Sequence, residues 1–418
     1  LRATKCLTQQ YSSGLERILG ECLSITYNAI HYAQEHGIDN RKGMKGFYRS
    51  LKDTKLPSCY KVAAIWRACE VVASRKKSLN RGAKLRHPKP LRPVICMTSG
   101  FFITMKGRLF VPLRRDQYFD VQLNHHVTET LEGKKVRSLT ITPGSLSLCY
   151  SEDVEAVPAR TVYGVDRNEK NLTFGDRERV VQVDMAKAVK VRQTTREIIS
   201  SFRRNDVRIR RRLARKYWTR ANHRTNSLMH AATNLVIETA SRNRAGIAVE
   251  DLTGINKMYQ RGNGQRTDHR FRLNSWPHWR AKKMLEYKAA WNGVTLIKLT
   301  KSETYGSSSE CSACREKLDS PEKGDAEHGR MLWCQACGRW IDRDVNAALN
   351  LSTRGLSRFA SSRPKSQEEE GRSQQADFTS SESREKGLAG EAVKGNGTKT
   401  LILRVDASKL IRRREPRS

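Results

Sequence analysis

The sequence predicts a multidomain α+β protein: a helical unit, then a small antiparallel β unit, then an α/β unit with a zinc ribbon set into it. Three observations predict it. Two cysteine pairs, Cys311/Cys314 and Cys334/Cys337, have nineteen residues between their inner members, a spacing that presents four thiolates to one Zn²⁺. Apolar runs ending in carboxylates, Val162–Asp166 and Gly246–Glu250, read as strands of a mixed sheet buried on both faces. The 418 residues carry 79 Lys+Arg against 43 Asp+Glu, a net charge of +36, for which a nucleic-acid partner is the simplest account.

Taken in order, residues 11–80 read as helical. Leu15, Ile18, Leu19, Cys22, Leu23, Ile25 and Ala29 recur at helical spacing, as do Val62, Ile65, Trp66, Cys69 and Val72. The Arg75–Arg86 stretch closes this unit with positive charge suited to a nucleic-acid backbone. From Pro88 to Glu155 the texture becomes short apolar or alternating runs (Phe101–Met105, Arg108–Leu113, Val136–Thr142, Ser145–Tyr150) punctuated by Gly107, Gly133 and Pro143-Gly144. These predict a small β-barrel.

Val162–Asp166 opens the third unit, with Leu172–Asp176 as its hairpin partner. A long helical stretch follows, roughly Ala186 to Arg242. Its basic middle offers Arg203, Arg204, Arg208, Arg210, Arg211, Arg212, Arg215 and Lys216 to phosphates, with Tyr217 and Trp218 more suited to the core. Ile255–Arg272 reads as a flexible basic loop, the run through Met284, Leu285 and Tyr287 as a helix, and Val294–Leu299 as a further strand. The tail from about Arg354 is rich in Ser, Glu, Lys and Arg and reads as largely disordered, apart from a short strand at Thr400–Val405.

A closed Cys₄ site leaves no open position, so the zinc at Cys311, Cys314, Cys334 and Cys337 is structural. The other six cysteines are scattered and read as reduced. No apolar run approaches the ~18 residues of a spanning helix and no secretory leader is visible, so a soluble intracellular protein with no membrane partner is expected. The chain begins at Leu1 rather than Met, which suggests a missing N-terminus.

The chemistry is expected at three carboxylates. Asp166 and Glu250 stand at strand ends and Asp344 at a helix start, successive members lying 84 and 94 positions apart. Asp251 and Asp342 are neighbouring alternatives. Clustered carboxylates repel one another unless a cation neutralises them, and hard oxygen ligands select Mg²⁺ or Mn²⁺. Two such ions activate a water and stabilise the leaving oxygen of a phosphodiester.

At these residues the chain resembles the TnpB proteins of insertion-sequence transposons, relatives of the type V CRISPR effector nucleases. Gly164-Val-Asp166 with Asn171-Leu172 matches the family's first RuvC motif, Val249-Glu250-Asp-Leu252 the second, and Asp342-Arg-Asp344-Val-Asn346-Ala-Ala348 the third. Leu273-Asn-Ser-Trp276 and Met284–Ala289 are also similar to the family. The resemblance is strong from about 160 to 352 and looser before. Asn168 and Arg315 stand where the family usually has Gly.

The resemblance implies a helical recognition lobe (1–85, with wedge residues at its start), a β-barrel wedge domain (86–160), an RNase H-like RuvC α/β domain (161–310) with an inserted zinc ribbon (311–337), the third RuvC motif (338–355) and a disordered tail (356–418). It implies an RNA-guided DNA endonuclease, one protein per guide RNA, cutting at Asp166, Glu250 and Asp344 with two Mg²⁺ or Mn²⁺ ions. The guide RNA would come from the transposon end. Double-stranded DNA would be the target, read beside a short flanking motif. A prokaryotic cytoplasmic, nucleoid-associated setting goes with it. The alternatives are a cleavage-deficient guide-bound regulator and a DNA transposase with an RNase H-like site.

Overall fold

The computed structural model describes the chain except residues 1, 115–116, 203–205, 256–265, 323–324, 326–328, 362–389, 393–399 and 413–418. It forms two units, Arg2–Asp153 and Val154–Ser418.

The first unit runs β1 (Arg2–Gln10), α1 (Glu16–Glu35), α2 (Lys45–Ser50), α3 (Ser58–Leu79), β2 (Ile95–Thr98), β3 (Ile103–Met105), β4 (Arg108–Arg114), β5 (Gln117–Gln122), α4 (His125–Leu131), β6 (Val136–Thr142) and β7 (Ser145–Asp153). The helical spacing read from Leu15 to Ala29 does place Ile18, Leu19, Cys22, Ile25 and Ala29 on the buried face of α1. The expected barrel does not form. The strands make two sheets, β1-β7-β6-β2 and β3-β4-β5, neither closed among the described residues. Their apolar faces share one core with α1 and α3, in which Ile18, Ala64, Ile95, Leu109 and Leu139 meet. Helices cover the surface that closure would otherwise have buried.

The β1/β7 register sets Cys6 opposite Cys149, and the two are joined as a disulfide. This corrects the expectation that all six scattered cysteines are reduced. The pairing follows from strand register, which cysteine spacing does not reveal.

The second unit runs β8 (Thr161–Arg167), β9 (Asn171–Gly175), β10 (Arg179–Asp184), α5 (Ala186–Ser200), α6 (Val207–Arg242), β11 (Ala245–Val249), α7 (Thr267–Ser275), α8 (His278–Trp291), β12 (Leu296–Lys298), α9 (Lys301–Thr304), β13 (Met331–Cys334), β14 (Arg339–Asp342), α10 (Arg343–Ser361), β15 (Gly390–Ala392), β16 (Leu401–Asp406) and α11 (Ala407–Arg412). Its sheet has the order β12-β11-β8-β9-β10-β16-β15. β8, β9 and β10 form an antiparallel meander, while β11 and β12 run parallel to β8. β8 and β11 are buried almost end to end, as their unbroken apolar runs require. One face packs on α6 and α8 through Val165, Ile247, Val236 and Leu285. The other meets α10 through Val162, Ala248 and Leu351.

Three expectations are corrected here. The stretch Ala186–Arg242 is two helices, because Asp206 accepts from the Ile209 N–H at 2.9 Å and caps a new start. Part of the expected loop Ile255–Arg272 is helical, since α7 begins at Thr267. The tail is ordered for longer than expected at its start, since α10 runs on to Ser361; the short strand expected at Thr400–Val405 does form, as β16, which enters the main sheet parallel to β10, where Leu403 and Val405 join the core. No helix among the described residues is long and apolar enough to cross a membrane.

Candidate active site and metal centre

The last registered pair of β8 and β11 is Val165↔Val249. One residue further on, Asp166 and Glu250 leave neighbouring parallel strands side by side. Asp344 comes from the first turn of α10, which lies directly on β8. Gly164 permits this close approach: a Cβ there would stand 2.0 Å from the Ala348 carbonyl oxygen and 2.4 Å from the Ser352 nitrogen. Ser352 Oγ fixes the contact by donating to the Val162 carbonyl at 2.6 Å. Two central strand ends and one helix start therefore converge at one end of the sheet.

Asp166 and Asp344 are buried and Glu250 is partly exposed. Burial, then the charges of Glu250 and Asp344, push the Asp166 carboxyl up to about 8, against the opposing pull of Asn168 and Arg167. Burial likewise raises Glu250, with Arg167 opposing. Such a group of acids gains most from a shared cation. Arg167 is itself buried; its guanidinium donates to the Glu250 carbonyl at 2.7 Å and the His278 carbonyl at 3.3 Å, tying the two strand ends to α8.

Two asparagines link the acids. Asn168 Nδ2 donates to Asp166 Oδ2 at 2.6 Å and to Asn171 Oδ1 at 3.2 Å. Asn171 Nδ2 in turn donates to Asp344 Oδ2 at 2.6 Å. Arg330 completes the set, its guanidinium gripping both oxygens of Asp344. Sequence reasoning missed Arg330, because nothing in its neighbours distinguishes it from many surface arginines. The three carboxylates are not all within 4.8 Å of one another, the spacing met by the four cysteines alone among the described residues. Asp344 is drawn toward Arg330 and Asn171, as expected of like charges with a competing cationic partner.

The neighbouring acids have other work. Asp342 Oδ1 accepts from the backbone N–H groups of Asp344 and Val345 at 2.9 and 3.1 Å, capping α10 and countering its dipole. Asp251 bonds Thr253 and faces Lys282 at 3.6 Å.

The four cysteine sulfurs lie within 4.8 Å of one another. Cys311 and Cys337 are 3.8 Å apart, and Cys314 and Cys334 are 3.4 Å apart. A tetrahedron of Zn–S bonds near ~2.3 Å has edges of about 3.8 Å, so this cluster could hold zinc. Burial works to raise the Cys311 thiol, but the N–H groups of Cys314 and Ala313 outweigh it and bring it down to about 7, while burial pushes Cys334 up and the neighbouring thiols push Cys337 up; the cluster thus holds a ready thiolate and needs a cation to ionise these two.

The ribbon is bolted to the helix that carries Asp344. Asn346 Oδ1 accepts from the Ser312 N–H at 2.8 Å while its Nδ2 donates to the Glu310 carbonyl at 2.7 Å. Asn350, one turn on, donates to the Ser307 and Glu310 carbonyls, both at 2.8 Å. Asp344, Asn346 and Asn350 thus share one helix for different reasons.

Each cysteine pair is followed by a residue with positive φ, Arg315 at 72° and Gly338 at 60°. A Cβ in this region costs about 1–2 kcal/mol. Arg315→Gly is therefore expected to slow zinc release to a chromophoric chelator several-fold and raise the melting temperature; faster release would contradict the strain.

Of the basic helix residues, Arg208, Arg211, Arg212, Arg215 and Lys216 are exposed on α6. Arg203 and Arg204 lie outside the described residues, as does the Arg210 side chain. Tyr217 packs beside Phe202 and Trp218 beside Phe271, both half-buried rather than in the core.

Residues 278–351 match a family model described as the Cas12f1-like TNB domain. A TnpB-like protein of Methanocaldococcus jannaschii is 27% identical over 226 residues, covering 52% of this chain and 77% of that protein. A putative RNA-guided DNA endonuclease of Streptomyces pristinaespiralis is 28% identical over 223 residues, 51% of this chain and 50% of that protein. The CRISPR-associated endodeoxyribonuclease Cas12f2 of a Micrarchaeota archaeon is 25% identical over 201 residues, 47% of this chain and 35% of that protein. The chain thus spans half or less of the last two. These matches bear out the resemblance to the TnpB family.

Proposed function

We propose that this TnpB-like chain is an RNA-guided DNA endonuclease that hydrolyses phosphodiesters at Asp166, Glu250 and Asp344. The observation that carries the reading is the convergence of these acids from β8, β11 and α10, with Asp166 held far above the usual carboxylate range by burial and by the charges of Glu250 and Asp344. The sheet order, an antiparallel meander extended by two parallel strands, supports an RNase H-like, RuvC assignment. The first unit would serve as recognition lobe and wedge.

The three carboxylates would hold two Mg²⁺ or Mn²⁺ ions, which supply an activated water and charge stabilisation of the leaving 3′-oxygen. Asn168 and Asn171 orient Asp166 and Asp344. Arg167 fixes the backbone that presents Glu250. Arg330, about half exposed, presents positive charge where a phosphate would approach. Cys311, Cys314, Cys334 and Cys337 would hold a zinc ion that orders the ribbon, and Asn346 and Asn350 would pass that order to the start of α10. The exposed cations of α6 would hold nucleic-acid backbone by charge, a salt-sensitive interaction. A guide RNA from the transposon end would supply target pairing, and a short flanking DNA motif would be read by the protein.

The test is to sequence the RNA that survives high-salt purification and offer the protein duplex DNA matching it. Cleavage with Mg²⁺ and none with EDTA is expected. A preparation free of RNA that joins DNA strands would overturn the reading in favour of a transposase. Bound RNA without cleavage would favour a regulator.

A further inference from the structure

A cavity opens beside the carboxylates, between β8, α5, α6, α7 and α8. Its near end is formed by Arg167, Asn168 and Asn171, and its walls by Leu172, Met185, Val189, Met229 and Trp276. The space open to the centre of a water molecule is ≈ 30 Å³. Adding a water radius all round gives an envelope on the order of 150 Å³, the size that accepts one six-membered ring.

Three residues lining this cavity each carry a buried polar atom with no hydrogen-bond partner: Thr225 Oγ1, Arg192 Nε and Arg167 Nε. Thr225 is 1% exposed. Buried polar atoms are rarely left unpaired, and a group of them around one space points to an occupant. Both Nε–H groups can only donate and the threonine hydroxyl can donate, so the occupant must offer acceptors. Its body must be flat and apolar enough for walls of methionine, leucine and tryptophan. A bare phosphate meets the arginines but wastes those walls, and it faces the Glu169 carboxylate, which Arg272 already pairs at 3.0 Å.

We infer that this cavity is a base pocket: it takes one pyrimidine of the single-stranded DNA lying in the catalytic site, with the ring against Met229 and Trp276 and its carbonyl oxygens toward Thr225, Arg192 and Arg167. The inference rests on the nuclease reading and deepens it. A base held beside Asn168 and Asn171, which contact Asp166 and Asp344, fixes the register of the strand against the acids and gives cutting a preference for a pyrimidine at one position.

The test uses the full chain with its co-purified RNA, and Ca²⁺ in place of Mg²⁺ to keep the strand uncut. Short single-stranded DNAs carry 5-bromodeoxyuridine at each position in turn. They are irradiated, and crosslinks are mapped by mass spectrometry. Crosslinks from one position to Met185, Met229 or Trp276 are expected. Thr225→Val, which removes an unpaired hydroxyl and leaves folding intact, should cut the yield about five- to tenfold, the worth of one hydrogen bond. Met229→Trp, which fills the space, should abolish it. The pocket is overturned if wild-type protein cuts the same DNA with Mg²⁺ yet gives no crosslink there. It is equally overturned if Thr225→Val leaves the yield unchanged, which would mean that water alone fills the cavity. Crosslinks in the cavity from a protein that cuts nothing would leave the pocket standing and sink the nuclease.

Discussion

Asp166→Asn is expected to lower DNA cleavage about 10³-fold, the scale on which removing one electrostatic anchor of a transition state is felt, while making the metal-free protein more stable. The two effects have one cause. Asp166 is buried beside Glu250 and Asp344, and its carboxyl is raised from 3.8 to about 8. An acid raised on folding binds its proton more tightly in the folded state, so its ionisation works against the fold. Its penalty is absent below pH 4, grows as pH rises through the window from about 4 to 8, and is complete above it. Asparagine has no such penalty and its side-chain oxygen can still accept from Asn168. Melting curves of the metal-free proteins between pH 4 and 8 should therefore diverge, the variant losing less stability as pH rises. Cleavage by the variant within tenfold of the original, or parallel melting curves, would count against the arrangement of the acids.

Gly164→Ala is expected to disrupt fold and activity together. A methyl group at this position would meet the backbone of Ala348 and Ser352 on α10 at 2.0 and 2.4 Å. Neither contact is the end of a flexible side chain that can swing away. The helix must lift off β8, at a cost of about 1–3 kcal/mol or more for overpacking. For a unit of this size that is a fall in melting temperature of roughly 5–10 °C. Because α10 carries Asp344 one turn before Ala348, the lift also moves a carboxylate away from its partners, and a loss of 1 Å in alignment costs about 10²-fold in rate. Calorimetry and a cleavage assay on the same preparation check both halves. An alanine variant that melts and cuts normally would mean that helix and strand are further apart than described.

Much of the site was legible because its determinants are local. Apolar runs ending in an acid announce buried strands with a charged tip, and β8 and β11 follow them closely. The cysteine spacing announced the four-sulfur cluster. What could not be read was long-range pairing. Cys6 and Cys149 meet through the register of β1 on β7, and alternation in the first unit predicts strands without saying whether they close on themselves or lie against α1 and α3. Asp206 was the available signal for the break before α6, masked by arginines that suit a helix as well as any residue. Arg330 was invisible for a different reason: its role depends on where a ribbon loop falls relative to Asp344. Asn168, set apart in the sequence as a departure from glycine, proves to be a direct partner of Asp166.

β16 comes from the far end of the chain, yet it pairs along all of β10 from Arg179 to Asp184. A ribosome making this protein emits β8 to β12 and α10 long before it reaches Leu401. Until then β10 has an open hydrogen-bonding edge, a surface that invites pairing with other nascent chains. The acid-bearing strands and their helix can assemble early. That edge of β10 is covered only once β16 has been made.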